Sequence, residues 1–342
     1  MVNVKKHGVI LAKTDLKFES DGVLNPAIYQ DGKSVHIFYR ALEAGNHSTI
    51  GYCKLDGPLT VAERSKEPAL SPMLDYESQG VEDARIVKIN DSYYLSYTAY
   101  NGHNALGVLA TSKDLKNWKR RGVIVPQITY NEFGILALTN PYLAEKYVRF
   151  YVSKNSDKDK FMLLWDKNVV FFPRKINNKY CYMHRILPEV QIVMTETFAE
   201  LTKEYWHNYF LHIEDHVMLA PKYEHEISYI GGGAPPIETS EGWLVIYHGV
   251  HDVATGHVYT ACASLHDIDN PSIELSRLPY PLFKPDTDWE LKGVVNNVVF
   301  PTGTALFDDT LYVYYGAADK CIACASLSLK ELTAELVAHK SV

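Results

Sequence analysis

The 342-residue sequence contains no run of about 18 consecutive apolar residues, the length that a membrane-spanning helix needs. Residues 1–8 also lack the apolar segment of a secretory signal. We therefore expect no membrane partner, and a cytoplasmic protein, or a periplasmic one if a leader has been removed.

Extended basic segments are also missing, and 34 Lys and Arg against 41 Asp and Glu give a formal net charge of −7. A nucleic-acid partner normally requires a basic stripe, so none is expected. The five cysteines are scattered, and Cys321 and Cys324 form a C-x-x-C pattern within a predicted strand. Residues three apart on a strand point to opposite faces, so neither a metal site nor a redox site is predicted. Gly231, Gly232 and Gly233 lack the pattern of a phosphate-binding loop, and no cofactor is implied.

What the sequence does contain is a repeat of polar turns followed by runs of aromatic and β-branched residues. The five copies lie at residues 31–40, 90–100, 177–185, 241–249 and 308–316. Such a turn and run are typical of the second half of a β-hairpin. A shorter strand-like run precedes each turn, and a run of small and branched residues follows it, with residues 190–195 as the candidate in the third copy.

Three to four strands in each of five repeats predict an all-β fold, a five-bladed β-propeller. The spacing between the repeats is longest from Tyr97 to Tyr182, which predicts an insertion around residues 128–150. Ser328 to Glu331 has the pattern of a capping box at the start of a short C-terminal helix. We expect one catalytic domain over residues 1–342.

A propeller gathers the beginnings of its innermost strands around a central channel, so polar residues there are candidates for a site. These segments are residues 25–26, 80–85, 139–141, 231–236 and 299–303. The densest is Glu82-Asp83-Ala84-Arg85, where neighbouring carboxylates and an arginine suit acid–base catalysis, with a structural ion pair as the alternative. Residues at the ends of the aromatic strands would converge on the same place: Arg40, Tyr100, His184, Arg185, His248 and Asp319.

At these segments the chain resembles glycoside hydrolase family 130, the β-mannoside phosphorylases and β-mannosidases. The resemblance rests on residues 80–86, 231–237, 242–250, 297–303 and 314–319, in register over nearly the whole chain. It implies a five-bladed propeller and inverting attack on a β-mannosidic bond. Asp83 would be the proton donor, acting through a sugar hydroxyl. The residues that would line the mannose pocket are Asn25, Arg40, Arg85, Asn140, His184, Arg185, His248 and Asp319.

The nucleophile depends on whether phosphate can be held, since burying that dianion requires basic partners. Tyr182, Tyr229 and Glu238 stand where phosphorylases of this family often carry basic residues. An inverting hydrolase instead needs a carboxylate base roughly 6.5 to 9.5 Å from the acid. Glu226 is the first expectation for that base and Glu238 the second, with a solvated hairpin as the alternative for Glu238.

The sequence thus predicts an inverting β-mannosidase, with β-1,2-linked mannosides as its expected substrates. The alternative is a β-mannoside phosphorylase that uses inorganic phosphate and releases mannose 1-phosphate. A third possibility is a propeller that binds glycans without catalysis. The linkage preference and the oligomeric state are left open.

Overall fold

The computed structural model describes residues 1–139, 145–147, 161–254 and 256–340. The prediction of a predominantly β protein is confirmed, because strands far outnumber helices in these segments. None of the helices in the described segments combines the length and apolar character that crossing a membrane requires.

The strands form five consecutive antiparallel units, which we number 1 to 5 along the chain. A single parallel contact between Ser48 and Gly80 joins units 1 and 2 into one larger sheet. The strands are β1 (Lys5–Leu11), which belongs to unit 5; β2 (Gly22–Asp31), β3 (Ser34–Glu43), β4 (His47–Asp56) and β5 (Thr60–Arg64) in unit 1; β6 (Gly80–Ile89), β7 (Ser92–Tyr100), β8 (Ala105–Ser112) and β9 (Lys119–Val123) in unit 2; β10 (Lys167–Phe171), β11 (Tyr180–Arg185), β12 (Val190–Thr195) and β13 (Val217–Leu219) in unit 3; β14 (Tyr229–Gly232), β15 (Ile237–Thr239), β16 (Gly242–Val253), β17 (Gly256–His266) and β18 (Glu274–Arg277) in unit 4; and β19 (Val299–Phe307), β20 (Thr310–Ala317) and β21 (Cys321–Ser328) in unit 5.

The helical elements lie between and after these units. The α-helices are α1 (Tyr130–Thr139), α2 (Lys203–Leu211), α3 (Asp288–Leu291) and α4 (Leu329–Ala338), and the short 3₁₀ turns are Lys17–Glu19, Asp75–Glu77, Phe198–Glu200, Ile213–His216 and Glu224–Glu226. Ser328 caps α4, as predicted, by accepting a hydrogen bond from the Glu331 N–H at 3.1 Å. The predicted insertion contains α1, and the remainder of residues 128–150 lies partly outside the described residues.

Each predicted aromatic run forms the second strand of its unit, and the run at residues 190–195 forms β12. Alternation explains this outcome, because one face of each strand packs into a core between neighbouring units while the backbone pairs within the unit. Phe38, Leu95 and Val245 are among the residues that are fully buried in this way.

Hydrogen bonds connect each of the later units to the next, and the last unit to the first. The bonds include Ser96 Oγ to Val169 O (2.5 Å), Ile230 N to Pro188 O (3.1 Å), Tyr259 N to Asn297 O (3.0 Å) and Thr302 Oγ1 to Pro26 O (2.7 Å). The first strand also pairs with the last, with Lys5 opposite Ser326. Thus β1, from the start of the chain, supplies an outer strand of unit 5.

Four units share a buried arrangement that we call the glutamate clamp. A tyrosine from the second strand and a cation from the outermost strand both bind a carboxylate from the turn before the unit. The clamps are Tyr39–Glu19–Arg64, Tyr97–Glu77–Arg120, Tyr247–Glu226–Arg277 and Tyr315–Glu290–Lys6. All four glutamates are fully buried. Since a buried carboxylate is tolerated only when it is paired, each clamp ties the outer strand of a unit to its middle.

Unit 3 departs from this rule. Its corresponding tyrosine, Tyr182, donates instead to the neutral carbonyl of Ile124 at 2.6 Å. The ring is fully buried, so Tyr182 does not face a ligand pocket. The interpretation that Tyr182 stands in place of a basic phosphate-binding residue is therefore wrong.

The clamp predicts a difference between two equivalent tyrosine-to-phenylalanine changes. Tyr97→Phe removes a hydrogen bond to a charged acceptor and should lower the free energy of unfolding by about 1.5–3 kcal/mol. Tyr182→Phe removes a bond to a neutral acceptor and should cost about 0.5–1.5 kcal/mol. Denaturant unfolding of the two variants measures both values, and an equal or larger loss for Tyr182→Phe would contradict the clamp.

Candidate active site

The first strands of units 1, 2 and 3 carry a β-bulge at corresponding positions. The pairing shifts between Leu24 and Ala27, between Glu82 and Arg85, and between Lys167 and Val170. The bulged residues Asn25, Asp83 and Asn168 have φ values of 50°, 51° and 60°. Asn and Asp tolerate this left-handed conformation better than other side chains, and a bulge redirects the side chain that it contains. The bulge in each of the three strands thereby redirects a polar side chain that would otherwise follow the regular alternation of side chains between the two faces of the sheet.

Asp83 lies in the middle of this group. Its Oδ1 accepts a hydrogen bond from Asn25 Nδ2 at 2.7 Å and lies 3.5 Å from Arg40 NH1. Burial acts to raise the pKa of Asp83, but Arg40, Asn25 and the cations Lys167 and Arg85 outweigh it and hold the pKa below its ordinary value. Asp83 is consequently ionised in the free protein at neutral pH.

The neighbouring carboxylate, Glu82, binds two cations. Arg40 NH2 donates to Glu82 Oε1 at 2.7 Å, and Lys167 Nζ lies 3.9 Å from Glu82 Oε2. The Lys167 side chain is only 22% exposed, and its ammonium makes no hydrogen bond within the described segments. Burial lowers the pKa of Lys167, against the opposing effect of Glu82 and Asp83.

Asp319 follows β20 and also has a left-handed backbone, with φ 50°. Burial, and then the charge of Asp83, raise its pKa to about 6, while Arg40 opposes the shift. The two aspartates are therefore driven in opposite directions, one toward the ionised and one toward the protonated form. Two carboxyl groups with separated pKa values are typical of an acid–base site.

Arg85 connects units 2 and 4 beneath these residues. Its Nε donates to Gly233 O at 2.5 Å and its NH1 to Asp83 O at 2.9 Å. The remaining terminal nitrogen, NH2, is buried without a partner among the described residues. The motif Glu82 to Arg85 thus combines a structural bond across the fold with a donor that is left unused.

Units 3 and 4 supply a second set of polar side-chain groups without hydrogen-bond partners among the described residues. The Asn168 Nδ2 and both ring nitrogens of His248 are buried without a partner in the described part of the chain. Gly231 separates them, since a Cβ there would lie 2.4 Å from His248 Nε2 and 2.8 Å from Asn168 Nδ2. Burial lowers the pKa of His248 well below its usual value, and Arg185 and Arg85 add to this effect. His248 is therefore neutral.

Arg185 completes this side of the pocket. Its guanidinium carbon lies 5.5 Å from the centre of the Tyr229 ring, and Tyr229 in turn shares a 2.5 Å hydrogen bond with Tyr259. No ion pair or guanidinium hydrogen bond joins Arg185 to another residue within the described ranges. Arg185, His248, Asn168 and Lys167 together offer donors and positive charge to a ligand that carries acceptors.

Glu226, the first expectation for a catalytic base, is a structural residue instead. It is fully buried and belongs to the glutamate clamp of unit 4. Its Oε2 accepts from Arg277 at 3.0 Å and from the Lys222 N–H at 2.9 Å, and its Oε1 accepts from Tyr247. A fully buried carboxylate whose two oxygens both accept hydrogen bonds from buried donors is not exposed to a water nucleophile, so this assignment is wrong.

Glu238 also fails as a base. It lies on β15 and forms two hydrogen bonds with Arg174, at 2.7 and 3.0 Å, which lower its pKa. It lines a cavity of about 310 Å³ together with Lys88 and with residues from the first strands of the other units. Lys88 is five residues beyond Asp83 on β6, or on the order of 15 Å along a strand. Glu238 is thus at the opposite end of these strands from Asp83.

The structure places the other predicted site residues in different settings. His184 is fully buried, with Nδ1 at 2.6 Å from Asp166 Oδ2 and Nε2 at 2.8 Å from Tyr209 OH, so it supports the core and does not face the pocket. Tyr100 is half-buried beside Lys167, with 5.9 Å from the Lys167 ammonium to the ring centre. Asn140 lies outside the described residues.

Sequence reasoning missed Lys167 and Asn168, although a usable signal was present. They immediately precede the predicted third inner strand, as Asn25 and Asp83 precede theirs. The insertion before unit 3 drew attention to residues 139–141 instead. Aligning the left-handed Asn or Asp of each unit, rather than its proline, would have identified Asn168.

One group among the described residues has metal-ligand chemistry, namely His225, Glu226 and Cys262, whose ligand atoms lie within 4.8 Å of one another. The Glu226 carboxylate is already bound to Arg277. The guanidinium would repel a cation at this position, so the donor set does not fit a metal ion.

Comparison with known proteins finds a matching family model, similar sequences and a similar structure. The family described as beta-1,4-mannooligosaccharide phosphorylase, glycoside hydrolase family 130, matches residues 12–164 and 147–337. The 1,2-beta-oligomannan phosphorylase of Thermoanaerobacter sp. (strain X514) is 32% identical over 334 residues, covering 95% of this chain and 96% of the relative. A beta-1,2-mannobiose phosphorylase of the same organism is 30% identical over 335 residues, covering 92% and 93%. The structure of beta-1,2-mannobiose phosphorylase from Listeria innocua in complex with beta-1,2-mannobiose has the same fold, with a TM-score of 0.73, 22% identity, and coverage of 98% of this chain and 100% of that one.

The two rejected bases predict opposite phenotypes for a matched pair of variants. Glu226→Gln removes one of the two carboxylates that bind the buried Arg277, the other being Glu274, and should lower the free energy of unfolding by about 3 kcal/mol. Glu238→Gln loses an exposed ion pair and should change it by less than about 1 kcal/mol. Both variants, when folded, should have the same kcat as the parent protein. A Glu226→Gln variant of parental stability without turnover would restore Glu226 as the base.

Asp319 predicts a pH-dependent stability difference. Its pKa rises on folding to about 6, so folding penalises the ionised form. Below about pH 4 both folded and unfolded states are protonated and the penalty vanishes; it grows from about pH 4 to about pH 6 and is complete above that. Asp319→Asn should therefore stabilise the protein by about 2 kcal/mol at pH 7.5 and by almost nothing at pH 4.

Denaturant unfolding at both pH values measures this effect. Asp91→Asn, in an exposed turn, is the control, and it should change the free energy of unfolding by a similarly small amount at the two pH values. Equal effects of Asp319→Asn at pH 4 and pH 7.5 would contradict the expected protonation of Asp319.

Proposed function

Because the chain belongs to glycoside hydrolase family 130 and is an enzyme, we propose that it phosphorolyses β-mannosides, with β-1,2-linked mannosides as substrates. The names of the two Thermoanaerobacter relatives support both the reaction and the linkage. Phosphate and a mannooligosaccharide would then be its two ligands. This replaces the hydrolase that the sequence favoured with the phosphorylase that stood as the alternative.

The observation that carries the proposal is the set of unused donors beside Asp83. The guanidinium of Arg185, the Lys167 ammonium and the Asn168 amide have no hydrogen-bond partner within the described residues. Leaving hydrogen-bond donors unsatisfied in a largely buried pocket is costly, and a dianion with several acceptor oxygens would satisfy these donors together. Tyr229 is not a basic residue, but Arg185 lies over its ring and keeps positive charge at that place.

Hydrolysis is less consistent with the site. An inverting hydrolase needs a free carboxylate base, and both carboxylates expected for that role bind arginines elsewhere. Glu82, which precedes Asp83 in the chain, accepts a 2.7 Å hydrogen bond from Arg40. Phosphate needs no such base, because the dianion is itself a nucleophile.

In the proposed reaction, a phosphate oxygen attacks the anomeric carbon from the face opposite the glycosidic oxygen. The new carbon–oxygen bond forms as the glycosidic bond breaks, which inverts the β-configuration and gives α-mannose 1-phosphate. The leaving oxygen takes a proton that originates from Asp83, relayed by a sugar hydroxyl. Asp319 would accept a hydrogen bond from the mannose in the same pocket, or donate one to it.

The charge balance explains how Asp83 obtains its proton. In the free protein, Arg40, Lys167 and Arg85 hold its pKa low. A bound phosphate dianion would offset the same cations and raise the pKa of Asp83 toward the protonated form. The nucleophile would thus prepare the acid that assists its own attack.

We also propose that the five units form one closed five-bladed propeller that makes a single domain. Hydrogen bonds from unit 5 to unit 1 and the pairing of β1 with β21 support closure. In that arrangement Asn25, Asp83 and Asn168 would surround one central axis, with the cavity lined by Lys88 and Glu238 at its other end.

Incubation with β-1,2-mannobiose, with and without phosphate, tests the function. We expect mannose 1-phosphate and mannose in equal amounts only when phosphate is present. Arg185→Leu should raise KM for phosphate more than tenfold, about 1.4 kcal/mol or more, with a smaller effect on KM for mannobiose. Asp83→Asn should lower kcat by about 10²–10⁴-fold. Release of free mannose alone, at a rate independent of phosphate, would show hydrolysis.

A further inference from the structure

Two aromatic rings meet beside the Lys167 ammonium. The Tyr100 and Trp165 rings are nearly perpendicular, at 82°, with their centres 6.2 Å apart. Lys167 Nζ lies 4.9 Å from the centre of the Trp165 ring and 5.9 Å from that of Tyr100. The ammonium therefore lies in a corner formed by both rings, which we call the aromatic corner.

Both rings are held in place by their polar ends. The indole N–H of Trp165 donates to His103 O at 3.0 Å, and the Tyr100 hydroxyl donates to Gly102 O at 3.0 Å. Both acceptors lie in the turn after β7, and both rings are half-buried. The corner is consequently a fixed part of the fold and not two side chains free to rotate.

We propose that Trp165, together with Tyr100, is a positioning residue for phosphate, because it holds the charged Lys167 ammonium in the pocket without using its hydrogens. This proposal rests on the phosphorolytic function. A carboxylate in hydrogen-bond contact with Lys167 would stabilise the same charge but would occupy its N–H groups and repel phosphate. An aromatic face attracts a cation and accepts no strong hydrogen bond. The donors of Lys167 thus remain available to the anion.

The groups around Lys167 show why such support is needed. Burial opposes its charged form, and the positive charges of Arg40 and Arg185 oppose it further. Glu82 and Asp83 favour the charge, but Glu82 is 3.9 Å away and is shared with Arg40. The aromatic corner adds attraction to the Lys167 charge without occupying the N–H groups of the ammonium.

Steady-state phosphorolysis by Trp165→Leu, Trp165→Phe and the parent tests the proposal, together with calorimetric titration of inorganic phosphate. Trp165→Leu removes the ring face and should raise both KM and the dissociation constant for phosphate about tenfold at pH 7. KM for mannobiose should stay within about twofold. Trp165→Phe retains a ring and should recover most of the phosphate affinity.

The pH profile separates positioning from a general structural effect. In Trp165→Leu, Lys167 should lose its proton at lower pH, so the alkaline fall of kcat/KM for phosphate should move to lower pH. In a Lys167→Arg variant the side chain carries a permanent charge, so adding Trp165→Leu to that variant should not shift the pH at which kcat/KM for phosphate falls. Trp118→Leu is the matched control, since this half-buried tryptophan packs against Phe38, and it should leave phosphate binding unchanged.

Two results would overturn the proposal. An increase in KM for mannobiose with unchanged phosphate binding would show that Trp165 contacts sugar, and unchanged constants throughout would show that it supports nothing in the pocket. Failure of the proposed function is distinct, because the parent would then make no mannose 1-phosphate and would bind no phosphate. If Trp165→Leu does not fold, Trp165→Phe and Tyr100→Leu take its place. The proposal is supported if Trp165→Phe keeps the parental alkaline profile of kcat/KM for phosphate and Tyr100→Leu binds phosphate more weakly. It is overturned if Tyr100→Leu binds phosphate as the parent does.

Discussion

The site depends on a backbone constraint: three first strands each hold one Asn or Asp in the left-handed conformation. At a regular strand position, Asn25, Asp83 and Asn168 would follow the alternation of the pleat. The bulge instead directs an amide, a carboxylate and a second amide out of the sheets. A larger or β-branched side chain would be strained there, so the backbone and the chemistry select the same residue types.

The distribution of charged side chains in the pocket follows from the position of these bulged residues. The carboxylates of Asp83, Glu82 and Asp319 face the cations Arg40, Lys167 and Arg85, while Arg185 and neutral His248 occupy the next side. The pocket therefore contains carboxylates that face cations, and also donors, Lys167 included, that have no hydrogen-bond partner among the described residues. Under the proposed function, the mannose would lie by the carboxylates and the phosphate by those donors.

The fold was more predictable from the sequence than the site. Hairpins were identified because turn residues and aromatic runs are local signals, and Asp83 became a candidate because its motif is contiguous. Glu226 was misassigned because its partner Arg277 is 51 residues away, so the sequence showed acidity without showing that it was neutralised. His184 was misassigned for the same reason, since Asp166 and Tyr209 approach it only in the folded chain. Lys167 was missed because an insertion moved it away from the regular spacing.

The pairing of β1 with β21 imposes an order on biosynthesis. Residues 5–11 are translated long before their partner strand at residues 321–328. Lys6 likewise cannot bind Glu290 until residue 290 has been made. The strand β1 therefore cannot take its native place while the intervening residues are translated, and unit 5 is completed only once residue 328 has been made. A nascent chain interrupted before residue 321 lacks the strand that β1 needs and keeps an open sheet edge, which favours aggregation.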